Sequence, residues 1–155
     1  MGTWSLGRAF SILTKQYIGL LNQRMKHTPI ERYYYPLYII GKSNGQLNQQ
    51  ELANHLLVDK VVLVRILDSL CQDGYIERVI DPNDRRKHLL KITQKAQPWI
   101  AEIEKGITEV NQFFYQFLPE KQRYNFAESL KTLTQSVLEI DTEKIDLIIQ
   151  HPENS

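Results

Sequence analysis

Cysteine is almost missing from this chain: Cys71 stands alone in 155 residues, so no disulfide can form within it. Long apolar runs are missing too. The longest nearly apolar stretch, Tyr33 to Ile40, contains Pro36 and is far short of the roughly 20 residues a membrane-spanning helix needs. Met1 is followed by neither a basic segment nor an apolar core, so a cytoplasmic protein without a membrane partner is expected. A strong charge of either sign is absent; the net charge is only +1. His27, His55, His88 and His151 are scattered, with no pair three or four residues apart and no CxxC, which gives no basis for a metal site. No nucleophile–base constellation or phosphate-cradling glycine loop is visible, so neither an enzyme nor a cofactor is expected. The length suits one domain that buries its own core.

What is present is helical periodicity at both ends and a basic hairpin between. From Trp4 to Lys26, Leu6, Phe10, Leu13, Tyr17, Leu20 and Leu21 recur at spacings of three and four, which predicts a long amphipathic helix. Thr28-Pro29-Ile30-Glu31 reads as a capped helix start, with the helix running to about Ser43 and ended by Asn44-Gly45. Asn48 caps a short helix from Gln49 to about Leu56, and Asp59 caps the next, which Gly74 terminates. Tyr75–Ile80 and His88–Ile92 read as strands joined by the turn residues Asp81, Pro82, Asn83 and Asp84. Helical spacing resumes after Thr93, breaks at Leu118-Pro119, and continues to near Ile140, with a short extra helix over Asp141–Gln150 and a frayed end from Pro152. The long terminal helices need cover for their apolar stripes. Interlocking two chains supplies it; folding back over their own domain is the alternative.

On the helix after Asp59, Leu63, Ile66, Leu67 and Leu70 form one core stripe. The opposite face carries Val61, Arg65 and Asp68, flanked by Lys60, Val62 and Val64. Arg65 is placed to meet a phosphate or, bidentately, a guanine, and otherwise is an ordinary solvated arginine. Between Arg78 and Lys91 five cations face two acids, a local positive field that the net charge conceals. Arg85 and Arg86 stand with Asp84 at the hairpin tip, where an arginine can enter a narrow minor groove.

These residues resemble the MarR family of winged helix-turn-helix transcriptional regulators. The likeness is carried by Leu52-Ala53, by Arg65, Leu70 and Gly74, by Ile76-Glu77-Arg78, and above all by Asp81-Pro82-Asn83-Asp84-Arg85-Arg86 followed by Leu90-Lys91-Ile92-Thr93. It implies a mainly α fold with a small two-stranded β-wing and long N- and C-terminal dimerisation helices. The winged helix-turn-helix lobe is expected over about 29–93 and the dimerisation helices over about 4–26 and 94–150, all in one domain, 1–155. It implies a homodimer on double-stranded DNA, most simply a repressor released by a small phenolic or anionic effector. The recognition helix would enter the major groove with Lys60, Val61, Val62, Val64 and Arg65. Asn48 and Gln49 count with the interface. Arg86 would insert in the minor groove, braced by Asp84, with Arg78, Arg85 and Lys87 on phosphates.

One departure matters: the family usually has small hydroxylated residues where Val61, Val62 and Val64 stand. Either the operator is rich in A·T steps read by methyl contact and shape, or DNA affinity is reduced. The second alternative makes the chain a protein-interaction module on a winged-helix scaffold, with the apolar helix face as its partner surface. Tyr33, Tyr34 and Tyr38 are candidates for the effector pocket, since a helix cannot bury the whole run Tyr33-Tyr34-Tyr35 with Tyr38 on one face; ordinary packing is the competing account. Cys71 lies beside the core stripe with no obvious cation nearby, which predicts a buried, inert thiol.

Overall fold

The computed structural model describes residues 5–138. The segment 141–150 and the last residues, for which a short helix and a frayed end were expected, lie outside them. Six helices and one hairpin follow in order: α1 (Leu6–Arg24), α2 (Tyr34–Lys42), α3 (Gln49–Leu56), α4 (Lys60–Gln72), β1 (Ile76–Ile80), β2 (His88–Ile92), α5 (Gln97–Tyr115) and α6 (Glu120–Leu138). The described residues fall into two compact units divided after Asn111. This is the mainly α winged helix-turn-helix architecture that the sequence implied.

In the first unit the core is built from Leu37 and Ile40 of α2, Leu52 of α3, the α4 stripe, Ile76, Leu89 and Leu90 of the hairpin, and Ile100 and Ile103 of α5. Each such side chain contributes about 1.5–3 kcal/mol on leaving water. The strands pair antiparallel with Ile76 opposite Ile92 and Ile80 opposite His88. A third segment joins them: Leu90 donates its N–H to the Leu47 carbonyl at 2.8 Å, and Asn48 bridges Leu89. The wing is thus anchored to the residues that open α3. At its base Thr93 donates to the carbonyl of Gly74, the glycine (φ 73°) that ends α4.

The start of α2 differs from expectation. It begins at Tyr34, five residues beyond Pro29, with no side-chain cap, and the preceding Tyr33 is left-handed at φ 62°. Pro36 is the reason. A helix running from Pro29 would hold Pro36 in its interior, where it lacks an N–H and clashes with the carbonyl four residues back; as the third residue of α2 it sits in the first turn, where no donor is needed. The non-helical segment before it leaves carbonyls to satisfy. Tyr34 Oη donates to Ile30 O at 3.0 Å and Tyr75 Oη to Pro29 O at 2.9 Å, while Thr28, expected as a helix cap, donates its hydroxyl back to Met25 O.

The end of α1 is tied to α5 by charge. Arg24 reaches Glu102 at 2.9 Å and also pairs with Glu109, and His27 Nε2 donates to Glu102 at 3.0 Å. Met25 is fully buried, and its sulfur lies 3.0 Å from where a methyl on Gly106 would stand. Along α1 the stripe Leu6, Phe10 and Leu13 remains exposed. In the second unit Phe113 meets Phe117 edge-on, Tyr115 meets Phe126, and no described residue of α6 is buried. Its stripe Phe126, Leu130, Leu133 and Val137 faces solvent.

Two outcomes are expected. A methyl at Gly41 would lie 2.6 Å from Ile100 Cδ1, 2.8 Å from Cγ1 and 3.0 Å from Cγ2, and no single side-chain rotation clears all three. Overpacking of about 1–3 kcal/mol therefore exceeds the helix-propensity gain of about 1 kcal/mol, so Gly41→Ala should lower the urea midpoint without changing the m-value. The Arg24 hydrogen bonds hold the Glu102 and Glu109 carboxyls below the usual carboxylate range. Their contribution to stability is complete above the unfolded carboxylate pKa and is lost as pH falls through the depressed folded values. Arg24→Gln should lower the melting temperature at neutral pH, and the gap to the wild type should close in acid, below about pH 4.

Candidate nucleic-acid interface

The helix-turn-helix is set by caps at each junction. Asn48 accepts from Glu51 N–H at 3.0 Å while Glu51 accepts from Asn48 N–H at 2.9 Å, a complete capping box that starts α3. Leu57 closes α3 in the left-handed region at φ 51°, exposed and without a glycine's freedom. Asp59 then caps α4, accepting from Val62 N–H at 2.8 Å. Burial of Leu63, Ile66, Leu67 and Leu70 fixes the rotation of α4, so the predicted outer face is the one in solvent. Val61 is 62% exposed, Val62 37% and Val64 38%, and Arg65 is exposed. Among the described residues Lys60 and Arg65 form no ion pair.

The wing tip is a pair of side-chain turns. Asp81 accepts from Asn83 N–H at 2.8 Å; Asp84 accepts from both the backbone N–H and Nε of Arg86 at 3.1 Å. Lys87 lies 3.8 Å from the second Asp84 oxygen. The Arg86 side chain is 90% exposed, yet its guanidinium is oriented by one fixed edge. These bonds, that of the Arg86 side chain first, hold the Asp84 carboxyl below the usual aspartate range. Arg85 is exposed and makes no ion pair among the described residues. Arg78, expected on a phosphate, spends its head group on Asp68 of α4 at 2.7 Å and ties strand to helix. That partner lies ten residues away across the glycine turn, beyond any local spacing rule.

Both elements face one open cleft of about 520 Å³, lined by the start of α3, the first half of α4 and the base of the wing tip. Of the predicted interface residues it gathers Asn48, Gln49, Lys60, Val64, Arg86 and Lys87; Val61, Val62, Arg65, Arg78, Asp84 and Arg85 stand outside its lining. It adds Gln50, Asn54 and His88, which sequence reasoning missed. Gln50 donates to Asn54 at 3.0 Å, and the signal was available: two amides four residues apart on one helix face. Tyr33, Tyr34 and Tyr38 line none of it. Tyr34 is buried, and burial pushes its hydroxyl pKa up. Tyr33 lies under the Arg32 guanidinium, and Tyr38 donates to Glu104 of α5 at 3.2 Å. Cys71 is half-buried rather than buried; Arg78 is a cationic neighbour the sequence did not disclose, but burial outweighs it and raises the thiol pKa. No described helix is long and apolar enough to cross a membrane.

The depressed Asp84 pKa has an observable consequence. The Arg86 amide resonance should titrate below the ordinary aspartate range, and Asp84→Asn should abolish that titration while the rest of the hairpin's spectrum persists.

A family model for the MarR family matches residues 36–88, from α2 to the first residue of β2. The HTH-type transcriptional regulator BilQ of Clostridioides difficile (strain CD3) is 36% identical over 72 residues, which are 46% of this chain and 47% of that protein. The match thus spans about half the length of this relative. The transcriptional regulator SlyA superposes with a TM-score of 0.80 at 21% identity, over 88% of this chain and 96% of that one. A mutant MarR from E. coli complexed with operator DNA gives 0.72 at 24% identity, over 83% and 92%. At such identities the superpositions speak for the fold, and the sequence match speaks for the segment that carries the helix-turn-helix and the wing tip. Residues 36–88 are thus similar to the MarR family, and the described residues share the fold of the solved MarR and SlyA proteins.

Proposed function

We propose that this chain is a homodimeric, DNA-binding transcriptional regulator, a repressor of a pseudo-palindromic operator that a small phenolic or anionic effector releases. The observation that carries the reading is the convergence of an outward-facing α4 and a preset wing arginine on one cleft lined by Lys60, Arg86 and Lys87. The recognition helix occupies the major groove and Arg86 the adjacent minor groove, with Arg85 and Lys87 on phosphates. Arg78 acts through Asp68 by fixing the angle between wing and helix.

Support for dimerisation comes from the two uncovered apolar stripes, on α1 and on α6, which have the spacing of helix–helix contact. The terminal helices, about 4–26 and 94–150, serve that contact, and the lobe of about 29–93 serves DNA. Effector release works by a population shift, in which the ligand favours a lobe spacing that no longer matches successive grooves. Tyr33 and Tyr38, at the junction of α2 with its neighbours, remain the candidates for effector contact; Tyr34 contributes through its buried hydrogen bond. The exposed valines favour a second reading, a protein-interaction module with little DNA specificity.

The test is a titration of the full chain against labelled duplex from its own upstream region and a shuffled control, at two salt concentrations, followed by a genome-wide selection. Salt-steep, sequence-preferring binding is expected. Binding to a protein surface that barely responds to salt, with no selected site, would establish the second reading. Arg86→Ala should weaken operator binding about ten- to hundredfold, the ~1.5–3 kcal/mol of a charged hydrogen bond, while the melting temperature stays within a degree or two.

A further inference from the structure

The face of α4 has an unusual inventory. Its apex and flanks are Val61, Val62 and Val64, all in solvent, with no hydroxyl or amide among them. Asp68, the acidic group further along the same face, is engaged by Arg78. At the helix start the Asp59 carboxylate occupies the Val62 N–H and brings negative charge to that end, which disfavours a phosphate there. What remains on α4 itself to distinguish one base pair from another is Lys60, Arg65 and three branched apolar side chains. The cations around them, Lys60 on α4 and Arg86 and Lys87 across the cleft, match a polyanion and not an apolar protein surface.

We propose that α4 reads thymine 5-methyl groups, with Val61 at the apex and Val64 on the cleft side as the reading residues, so that the preferred half-site carries thymines where these side chains land. The inference rests on the regulator reading above. In the major groove thymine alone among the four bases presents a methyl, so apolar contact there is a sequence signal and not merely adhesion. Valine suits the task. In a helix its χ1 is held in essentially one rotamer, so little side-chain freedom is lost on contact. The work is divided: the valines select T·A pairs, Arg65 meets a phosphate or a guanine, and the wing cations set affinity.

The experiment uses the full-length protein and two random-sequence duplex pools, one made with thymine and one with uracil throughout, which removes only the methyl. Selected duplexes are then titrated in both forms with the wild type, Val61→Ala and Val64→Ala. Val61 is largely in solvent, so its truncation leaves the fold intact. Expected is enrichment of thymine at fixed half-site positions from the first pool, and a uracil penalty of about fourfold per contacted methyl, the ratio for ~0.8 kcal/mol of apolar contact. In Val61→Ala or Val64→Ala the penalty should fall toward one at the thymine each residue touches; this coupling separates methyl contact from any change in duplex stiffness. If a sequence-specific, salt-sensitive site is selected but binds equally with uracil, or the penalty is identical in the valine variants, the methyl reading is overturned and the regulator reading stands. If the thymine pool yields no preferred site, the regulator reading fails and this inference with it.

Discussion

Burial of one face of α4 is the constraint on which the rest depends. Leu63, Ile66, Leu67 and Leu70 can enter the core in only one rotation of the helix, and that rotation decides which residues meet solvent. The hairpin extends the same core through Ile76, Leu89 and Leu90, so the wing leaves the body at an angle fixed by packing. Asp68–Arg78 then locks strand to helix from outside. Helix face and wing tip are therefore placed relative to each other by the core between them, and not by a mobile linker.

A second set of contacts anchors that body. The irregular stretch between α1 and α2 would leave backbone carbonyls unsatisfied, and tyrosine hydroxyls from α2 and from the start of the hairpin satisfy two of them. This accounts for part of the tyrosine cluster without recourse to a ligand. Arg24, shared between Glu102 and Glu109, fastens the end of α1 to α5 close to where Met25 is buried against Gly106.

The framework of the candidate interface was legible because its signals are local. The Asn48–Glu51 capping box, the Asp59 cap, the glycine at position 74 and the i, i+3, i+4 spacing of α4 each act within a few residues, and each stands where the sequence placed it. The start of α2 differs because a persuasive local signal, Thr28-Pro29, is overruled by Pro36 and by one hydrogen bond from Tyr75, forty-six residues away from Pro29. Arg78 shows the same limit: its charge was visible, its partner was not. Gln50, Asn54 and His88 joined the cleft only when the wing was seen to fold beside α3.

The braced arginine at the wing tip has a bearing on time as well as on place. Asp84 holds Arg86 ready for contact, but it also cancels much of the charge that would be felt from afar, in a chain whose net charge is only +1. The orientation is set before any partner arrives, so contact need not wait for the side chain to find its rotamer. What Asp84 gives up in pull at a distance it returns as a head group already aimed.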